Sequence, residues 1–261
     1  MQLNILRADP AGNITVFVLD EVEKSLRAEI SSKIMAIEAL KCEQVGFLTK
    51  PLDPACQCRL EMMGGEFCGN ASRALALYLA KKQGKSGKFM IEVSGMTTPI
   101  EAWADLESGT AFAQMPKPKN IEPFIISGIE CTRVDLDGIS HLVAECENPN
   151  KRIVTAADAL FGEDENIAAY GMIFFNKYEM SMIPYVKVKA TDSLVREGSC
   201  GSGTVAVAAS IFLAPFVGKR TISVSQPSGV ITAEITKQEA EFYSVSIGGA
   251  VTLGEVEQLD I

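Results

Sequence analysis

The chain has 261 residues, 47% hydrophobic and 22% charged, the proportions of a globular protein with room for one large domain or two of ordinary size. Its net charge of −9 argues against nucleic acid or anionic membrane as a partner. No apolar run reaches the roughly 18 residues of a membrane span, and Met1-Gln2-Leu3-Asn4-Ile5 lacks the basic and apolar regions of a signal peptide. The expected location is therefore cytoplasmic, with no membrane attachment.

In chain order, Leu3 to Ala8 and Ile14 to Leu19 read as strands around the turn formers Asp9-Pro10-Ala11-Gly12-Asn13. Glu21 to Ala39 carries Leu26, Ile30, Ile34 and Ile37 near helical spacing and reads as an amphipathic helix. Short strands follow at Val45 to Leu48 and Cys58 to Met63. Cys68 to Lys82 reads as a central helix, with a basic end and a stop at Gly84. Phe89 to Ser94 is a strand, and Ile100 to Ala104 and Ala111 to Met115 form a hairpin-like pair. Pro116-Lys117-Pro118-Lys119 punctuates the chain and marks the expected domain boundary. Beyond it, Thr132 to Leu136 and His141 to Glu145 flank the hairpin signal Asp137-Gly138. A short helix at Thr155 to Phe161, strands at Met172 to Phe175 and Met182 to Lys189, a second apolar helix at Cys200 to Phe216 and a strand at Thr221 to Val224 complete the reading.

Seven cysteines in irregular array, in a chain this large, are expected as reduced thiols. Buried structural thiols are the reading for Cys42, Cys131 and Cys146. Cys56-Gln57-Cys58 lacks metal-ligand spacing, and His141 is the only imidazole, so no metal site is expected. Two cysteines stand apart. Glu66-Phe67-Cys68-Gly69-Asn70 and Ser199-Cys200-Gly201-Ser202-Gly203-Thr204 each put a cysteine before a glycine and then run into an alanine-rich apolar segment. Ile91-Glu92-Val93-Ser94 follows Cys68 at nearly the offset at which Ile222-Ser223-Val224-Ser225 follows Cys200, so an internal repeat is indicated. The fold class expected is α/β, more strictly α+β: two similar units, each wrapping antiparallel strands around a central helix.

A thiol at a helix N-terminus meets free N–H groups and the positive end of the dipole. If the two helix starts face each other across a cleft, N–H groups near Gly69, Asn70, Gly201 and Ser202 would hold a substrate carboxylate. One cysteine as thiolate then removes the proton from the adjacent carbon, and the other as thiol delivers one to the opposite face. No Schiff-base lysine or dinucleotide fingerprint is evident, so no organic cofactor is expected. Two cysteines that merely pack at helix starts are the competing reading.

The two cysteine motifs, together with Asp9-Pro10-Ala11-Gly12-Asn13-Ile14-Thr15-Val16-Phe17, resemble the signatures of the diaminopimelate epimerase family, relatives of the proline racemases, over nearly the whole chain. The resemblance implies amino-acid racemisation or epimerisation without pyridoxal phosphate by Cys68 and Cys200. It also implies two pseudo-twofold domains, at residues 1–118 and 119–249, with the last strand, about 250–261, returning to the first and the active site in the cleft between them. Asn13 would line the substrate site and His141 would assist the thiols; a satisfied strand histidine is the alternative for His141.

Several positions depart from the family pattern. Ile139 replaces the asparagine of Asn-Pro-His, and Arg59 stands where an asparagine precedes the first cysteine motif. Met172-Ile173-Phe174-Phe175 replaces a polar strand, and Thr191-Asp192-Ser193 stands in place of Glu-Arg-Gly. Asp192 in place of arginine would repel a distal carboxylate and suit a cation or an imidazole; a slip of one residue would instead make it the stand-in for the glutamate. Arg59 and Asp192 are therefore substrate-site candidates. The substrate expected is a polar or basic free amino acid such as histidine, lysine or ornithine, with histidine first because the family includes histidine racemases. Arg196 and Glu197 either tune Cys200 or form a solvated pair. Diaminopimelate epimerase, a proline-type racemase, a silent amino-acid-binding protein and a Cys68–Cys200 redox switch are the rivals, and a homodimer stays open.

Overall fold

A computed structural model describes residues 1–146, 148–165, 167–189 and 193–261. The chain divides into two compact units, Met1–Gln114 with Gly248–Ile261, and Met115–Ile247. In the first unit β1 (Gln2–Asp9) and β2 (Thr15–Val18) pair antiparallel around the Asp9–Asn13 turn. α1 (Arg27–Met35) then crosses to β3 (Gln44–Thr49), which runs parallel to β2. β4 (Cys58–Met62) returns antiparallel to β3. α2 (Gly69–Gln83) crosses to β5 (Gly87–Val93), parallel to β4, and β6 (Ile100–Asp105) and β7 (Thr110–Gln114) close an antiparallel meander.

The second unit repeats this order. β8 (Asn120–Ile126), β9 (Ile129–Leu136) and β10 (Ile139–Glu145) are antiparallel neighbours. α3 (Lys151–Gly162) crosses to the parallel β11 (Ala169–Asn176), and β12 (Ser181–Val188) and β13 (Ser193–Arg196) follow antiparallel. α4 (Gly201–Ile211) leads to β14 (Gly218–Gln226), which meets β12 in parallel at Ser225, and β15 (Gly229–Gln238) pairs antiparallel with β14. β16 (Glu241–Ala250) carries the chain back to the first unit, where β17 (Thr252–Asp260) pairs antiparallel with β1. Two strand–helix–strand crossovers in the same sequence in each half constitute the internal repeat, and the class is α+β as expected from the sequence.

Each unit is built around the helix that follows a cysteine. α2 buries Ala71, Ala74, Leu75, Ala76, Leu77, Leu79 and Ala80 against Leu60, Phe89, Ile91, Ala102 and Ala113. Its alanines let strands approach on several sides, which explains why its sequence lacks a polar stripe. α4 is buried from Gly203 to Ala209 and packs against β9, β10, β11, β14 and β15. The outer helices have one apolar face only: Ile30 and Ile34 of α1 on Val16, Val45 and Phe47, and Ile153, Ala157 and Phe161 of α3 on Leu142, Met172 and Phe174. Among the described residues, no helix is long and apolar enough to cross a membrane.

Three elements differ from the sequence reading. The helix expected over Glu21 to Ala39 is a nine-residue α1 flanked by single 3-10 turns, because the chain turns extended at Ile37. β8 escapes periodicity because Pro123, a residue with no N–H to donate, interrupts it; β8 pairs antiparallel with β9. α4 stops at Ile211 instead of Phe216, short of Pro215. Lys237 takes up the carbonyls left at its end, donating from Nζ to Phe212 O at 2.6 Å.

Gly95 shows how the first cysteine turn is placed. Its φ is +76°, and a Cβ there would lie 2.4 Å from the backbone N of Phe67. Ser94 beside it donates to the Glu66 carbonyl at 2.7 Å and accepts from Met62 N–H at 2.9 Å. The end of β5 thus fixes the residues that lead into Cys68. Gly95→Ala is expected to cost about 2 kcal/mol through strain and collision, read as a lowered urea midpoint at unchanged slope.

Candidate active site

Cys68 and Cys200 occupy the same structural position. Each is the N-cap of its helix, with φ −130° and ψ 109° at Cys68 and φ −128° and ψ 111° at Cys200. Each Sγ accepts a first-turn N–H, from Ala71 at 3.4 Å and from Gly203 at 3.3 Å. Each cysteine carbonyl receives a hydroxyl four residues on, from Ser72 and from Thr204, both at 2.7 Å. Gly69 and Asn70, and Gly201 and Ser202, thus form the first turns, where N–H groups lack intrahelical acceptors.

The surroundings of Cys68 come from the β1–β2 turn and the start of β3. Asn13 Oδ1 lies 3.9 Å from Cys68 Sγ as acceptor, and also accepts from Asn70 Nδ2 at 3.4 Å and Gln44 Nε2 at 2.8 Å. Gln44 Nε2 also lies 3.3 Å from Sγ. Asn13 Nδ2 donates to Glu43 Oε2 at 3.3 Å. Burial pushes the Cys68 thiol up, opposed by the Ala71 N–H and the Gln44 amide. Burial likewise holds the Glu43 carboxyl above its ordinary range, against the Asn13 contact.

Cys200 has a different neighbourhood. Its N–H donates to Gln226 Oε1 at 2.7 Å, and Gln226 Nε2 donates to Thr204 Oγ1 at 2.9 Å, which holds the turn to β14. Ser202 Oγ lies 3.5 Å from Sγ and 2.9 Å from His141 Nε2. His141 is wholly buried on β10, beside Gly171 of β11, where a Cβ would come within 2.2 Å of Nδ1. The glycine makes room for the ring, and Nδ1 has no partner among the described residues. Burial pushes the imidazole down to about 3, so it is neutral at physiological pH. Burial also pushes the Cys200 thiol well above its usual value, and the Glu197 carboxylate beside it pushes the same way.

The structure thus gathers Asn13, Gly69 and Asn70 at Cys68, and Gly201, Ser202 and His141 at Cys200. It does not bring Arg59 to Cys68. Along β4, Cys58, Leu60 and Met62 face α2, so Arg59 takes the opposite face, where it pairs with Glu61 and with Glu92 at 3.0 Å. Asp192 lies outside the described residues. Glu43, Gln44 and Gln226 were not among the sequence candidates, whereas Glu197 was read as either tuning Cys200 or forming a solvated pair, and it lies close enough to Cys200 to act on that thiol. Gln44, the polar start of an otherwise apolar strand, carried the one available signal. Among the described residues, no group of three or more His, Cys, Asp or Glu is placed to hold a metal ion.

The His141 environment carries a pH signature. The unfolded imidazole titrates near 6.5 and the folded one near 3, so the unfolded state takes the extra proton in between. This contribution is full above pH 6.5 and falls away as the pH drops toward 3. From pH 6 to 5 the wild type should lose up to about 1.4 kcal/mol that His141→Asn does not lose, measured by urea denaturation of both at each pH.

Comparison with known proteins gives the geometry a family. The family model described as the histidine racemase CntK N-terminal domain matches residues 2–256. A histidine racemase of Fusobacterium nucleatum subsp. nucleatum (strain ATCC 23726 / VPI 4351) is 32% identical over 249 residues, covering 91% of each chain. A histidine racemase of Staphylococcus aureus (strain Mu50 / ATCC 700699) is 27% identical over 253 residues, covering 94% of this chain and 92% of its own. Among solved structures, a hydroxyproline epimerase from Agrobacterium vitis with bound trans-4-hydroxy-L-proline superposes with TM-score 0.66 at 13% identity, over 99% of this chain and 92% of that one. A phenazine biosynthesis PhzF family protein from Enterococcus faecalis gives TM-score 0.65 at 13% identity over all of both chains. The solved structures share the fold, and the sequence matches go further: the chain belongs to the histidine racemase CntK family.

Proposed function

We propose that this protein is a racemase of free histidine, an isomerase that works without pyridoxal phosphate, with Cys68 and Cys200 as its two bases. The observation that carries the reading is the duplicated cap: two thiols with matching backbone angles, each at the start of a buried helix in equivalent halves of a repeat. First-turn N–H groups of α2 and α4 bind the substrate carboxylate, stabilising charge that grows on it as the α-proton leaves. One thiolate takes that proton from one face, and the other cysteine delivers its S–H proton to the opposite face. The mechanism requires one thiol at each face of the α-carbon. The reverse reaction exchanges the roles.

Histidine is favoured by the family and by the polar groups beside Cys68. Glu43 and Asn13 offer a carboxylate and an amide to an imidazole, within one hydrogen-bonded group with Gln44. Glu43 takes the place in this reading that Asp192 held in the sequence. A cytoplasmic enzyme fits seven cysteines that are all unpaired.

Reduced enzyme in D₂O should deuterate the α-carbon of L-histidine and yield the D enantiomer, followed by NMR and chiral chromatography. Exchange with diaminopimelate alone would refute the histidine assignment. Cys68→Ser and Cys200→Ser should each lower racemisation at least about 100-fold; near wild-type turnover in either would overturn the two-thiol mechanism. Because burial pushes both thiols up, kcat/KM should climb with pH above neutrality until the second thiol ionises. Glu43→Gln should raise KM for histidine about tenfold or more with less effect on kcat.

A further inference from the structure

Gln44 touches the Cys68 sulfur and takes no role in the chemistry so far. It opens β3, is buried, and lies opposite Thr15 in the parallel β2–β3 pair. A side-chain amide nitrogen has two N–H groups to give. Gln44 Nε2 has three acceptors in reach: Thr15 Oγ1 at 2.7 Å, Asn13 Oδ1 at 2.8 Å and Cys68 Sγ at 3.3 Å. The neighbours fix which way the amide points. Thr15 Oγ1 gives its own proton to the Asn13 carbonyl at 3.4 Å, and Asn13 Nδ2 donates to Glu43 Oε2 at 3.3 Å, so both oxygens that face Gln44 are acceptors.

Two N–H groups thus serve three acceptors, and the state of the sulfur decides which one goes short. A neutral thiol is a weak acceptor and leaves both N–H groups on the oxygens. A thiolate draws one of them to itself, because a hydrogen bond to an ionised group is roughly twice as strong. Asn13 Oδ1 can release Gln44, since Asn70 Nδ2 also donates to it at 3.4 Å. Gln44 opposes the thiol form as well. The oxygen toward which an S–H would turn, Asn13 Oδ1 at 3.9 Å, is one that Gln44 already occupies. Donation to the sulfur and occupation of that oxygen both favour ionisation.

The second half has no such amide. Gly171 stands opposite His141 in the parallel β10–β11 pair, as Gln44 stands opposite Thr15. Cys200 instead meets Ser202 Oγ at 3.5 Å, a hydroxyl able to donate or accept, with the Glu197 carboxylate beside it. The described charged groups around Cys68 are Arg73, wholly buried on α2, Glu66 in the cysteine's own turn, and Asp9 and Glu43 on the segments that carry Asn13 and Gln44. They stay the same when Gln44 alone is changed.

We propose that Gln44 is a catalytic residue: its side-chain amide donates to Cys68 Sγ when that sulfur is ionised, and so keeps the base form of Cys68 within reach in a buried site. When the thiolate takes the α-proton, an S–H bond forms, the electron pair of the C–H bond stays on the substrate, and the released N–H returns to Asn13 Oδ1. That consequence for turnover rests on the racemase reading. The effect on ionisation does not, and it is read without substrate.

Native protein is pulsed with iodoacetamide at a series of pH values, and mass spectrometry of the Cys68 peptide gives its ionisation midpoint. Gln44→Met keeps the length of the side chain and removes both N–H groups. It should raise the midpoint by about one pH unit or more, the worth of a hydrogen bond to a charged group. Gln44→Glu, which puts acceptors in place of the donors, should raise it further. A glutamine that only ties β3 to β2 would lower the melting temperature of both variants without moving the midpoint, and that result would overturn the proposal. A second measurement needs no variant. In isotope-labelled wild-type protein, one side-chain N–H proton of Gln44 should shift in the NMR spectrum with the same midpoint as the alkylation of Cys68. Gln44 N–H resonances that stay fixed through that midpoint would overturn the proposal even if neither variant folds.

Discussion

A thiol at the N-cap of a helix is the constraint on which both halves depend. Serine, threonine, aspartate and asparagine are the residues that cap helices well, because a small oxygen acceptor meets the free N–H groups. Sulfur is larger and a weaker acceptor. A cysteine in that position weakens the start of the helix that forms the centre of its unit. The fold offsets this locally. Ser72 and Thr204 tie the cysteine carbonyl to the next turn, Gln226 ties Cys200 to β14, and Gly95 with Ser94 ties the approach to Cys68 to β5. The helices are then embedded on nearly all sides, so tertiary packing, more than capping, sets where they begin. A thiol is held in a fixed place, with first-turn N–H groups around it, by structure that extends through the whole unit.

The sequence revealed this arrangement where the signal was local. A cysteine, a glycine and an alanine-rich run lie within a few residues, and they appear twice with the same following strand. From these come the central helices, the repeat and the α+β class. What stayed hidden was non-local. Gln44 reaches Cys68 from the start of β3, and Gln226 reaches Cys200 from the end of β14; each sits in a stretch that reads as ordinary strand. Arg73 looked like a helix residue among others, since nothing in its neighbours predicts full burial. Arg59 went the opposite way. It stood next to the motif in sequence, yet strand alternation gives it the face away from α2, and only the pairing of β4 with Glu92 of β5 shows that.

Among the described residues, three of the four buried side-chain polar atoms left without partners belong to Arg73, His141 and Ser199, beside or within a few residues of the cysteine turns. Unpaired buried polar atoms are rare in native proteins and concentrate where a fold retains strain or polarity for chemistry. The duplication therefore preserved the cap and its backbone, while the outer layer diverged: asparagine, glutamine and arginine at one turn, serine, histidine and glutamate at the other. That divergence is what a repeat must undergo if two copies of one turn are to hold a single asymmetric ligand.

Unlike surroundings do not by themselves favour one enantiomer. In an achiral solvent the two forms of an amino acid have equal free energy, so the equilibrium constant of racemisation is one. The kcat/KM values for the two directions must then be equal, whatever the protein places around each sulfur. Stabilising one thiolate shifts which protonation form of the pair is more populated between turnovers. It can separate kcat from KM for the two enantiomers, but only in proportion. Symmetry between the two thiols is therefore not needed for balanced catalysis. Under the two-thiol mechanism proposed above, the divergence of the surrounding residues is free to serve substrate recognition at one turn and proton delivery at the other, as long as both caps survive.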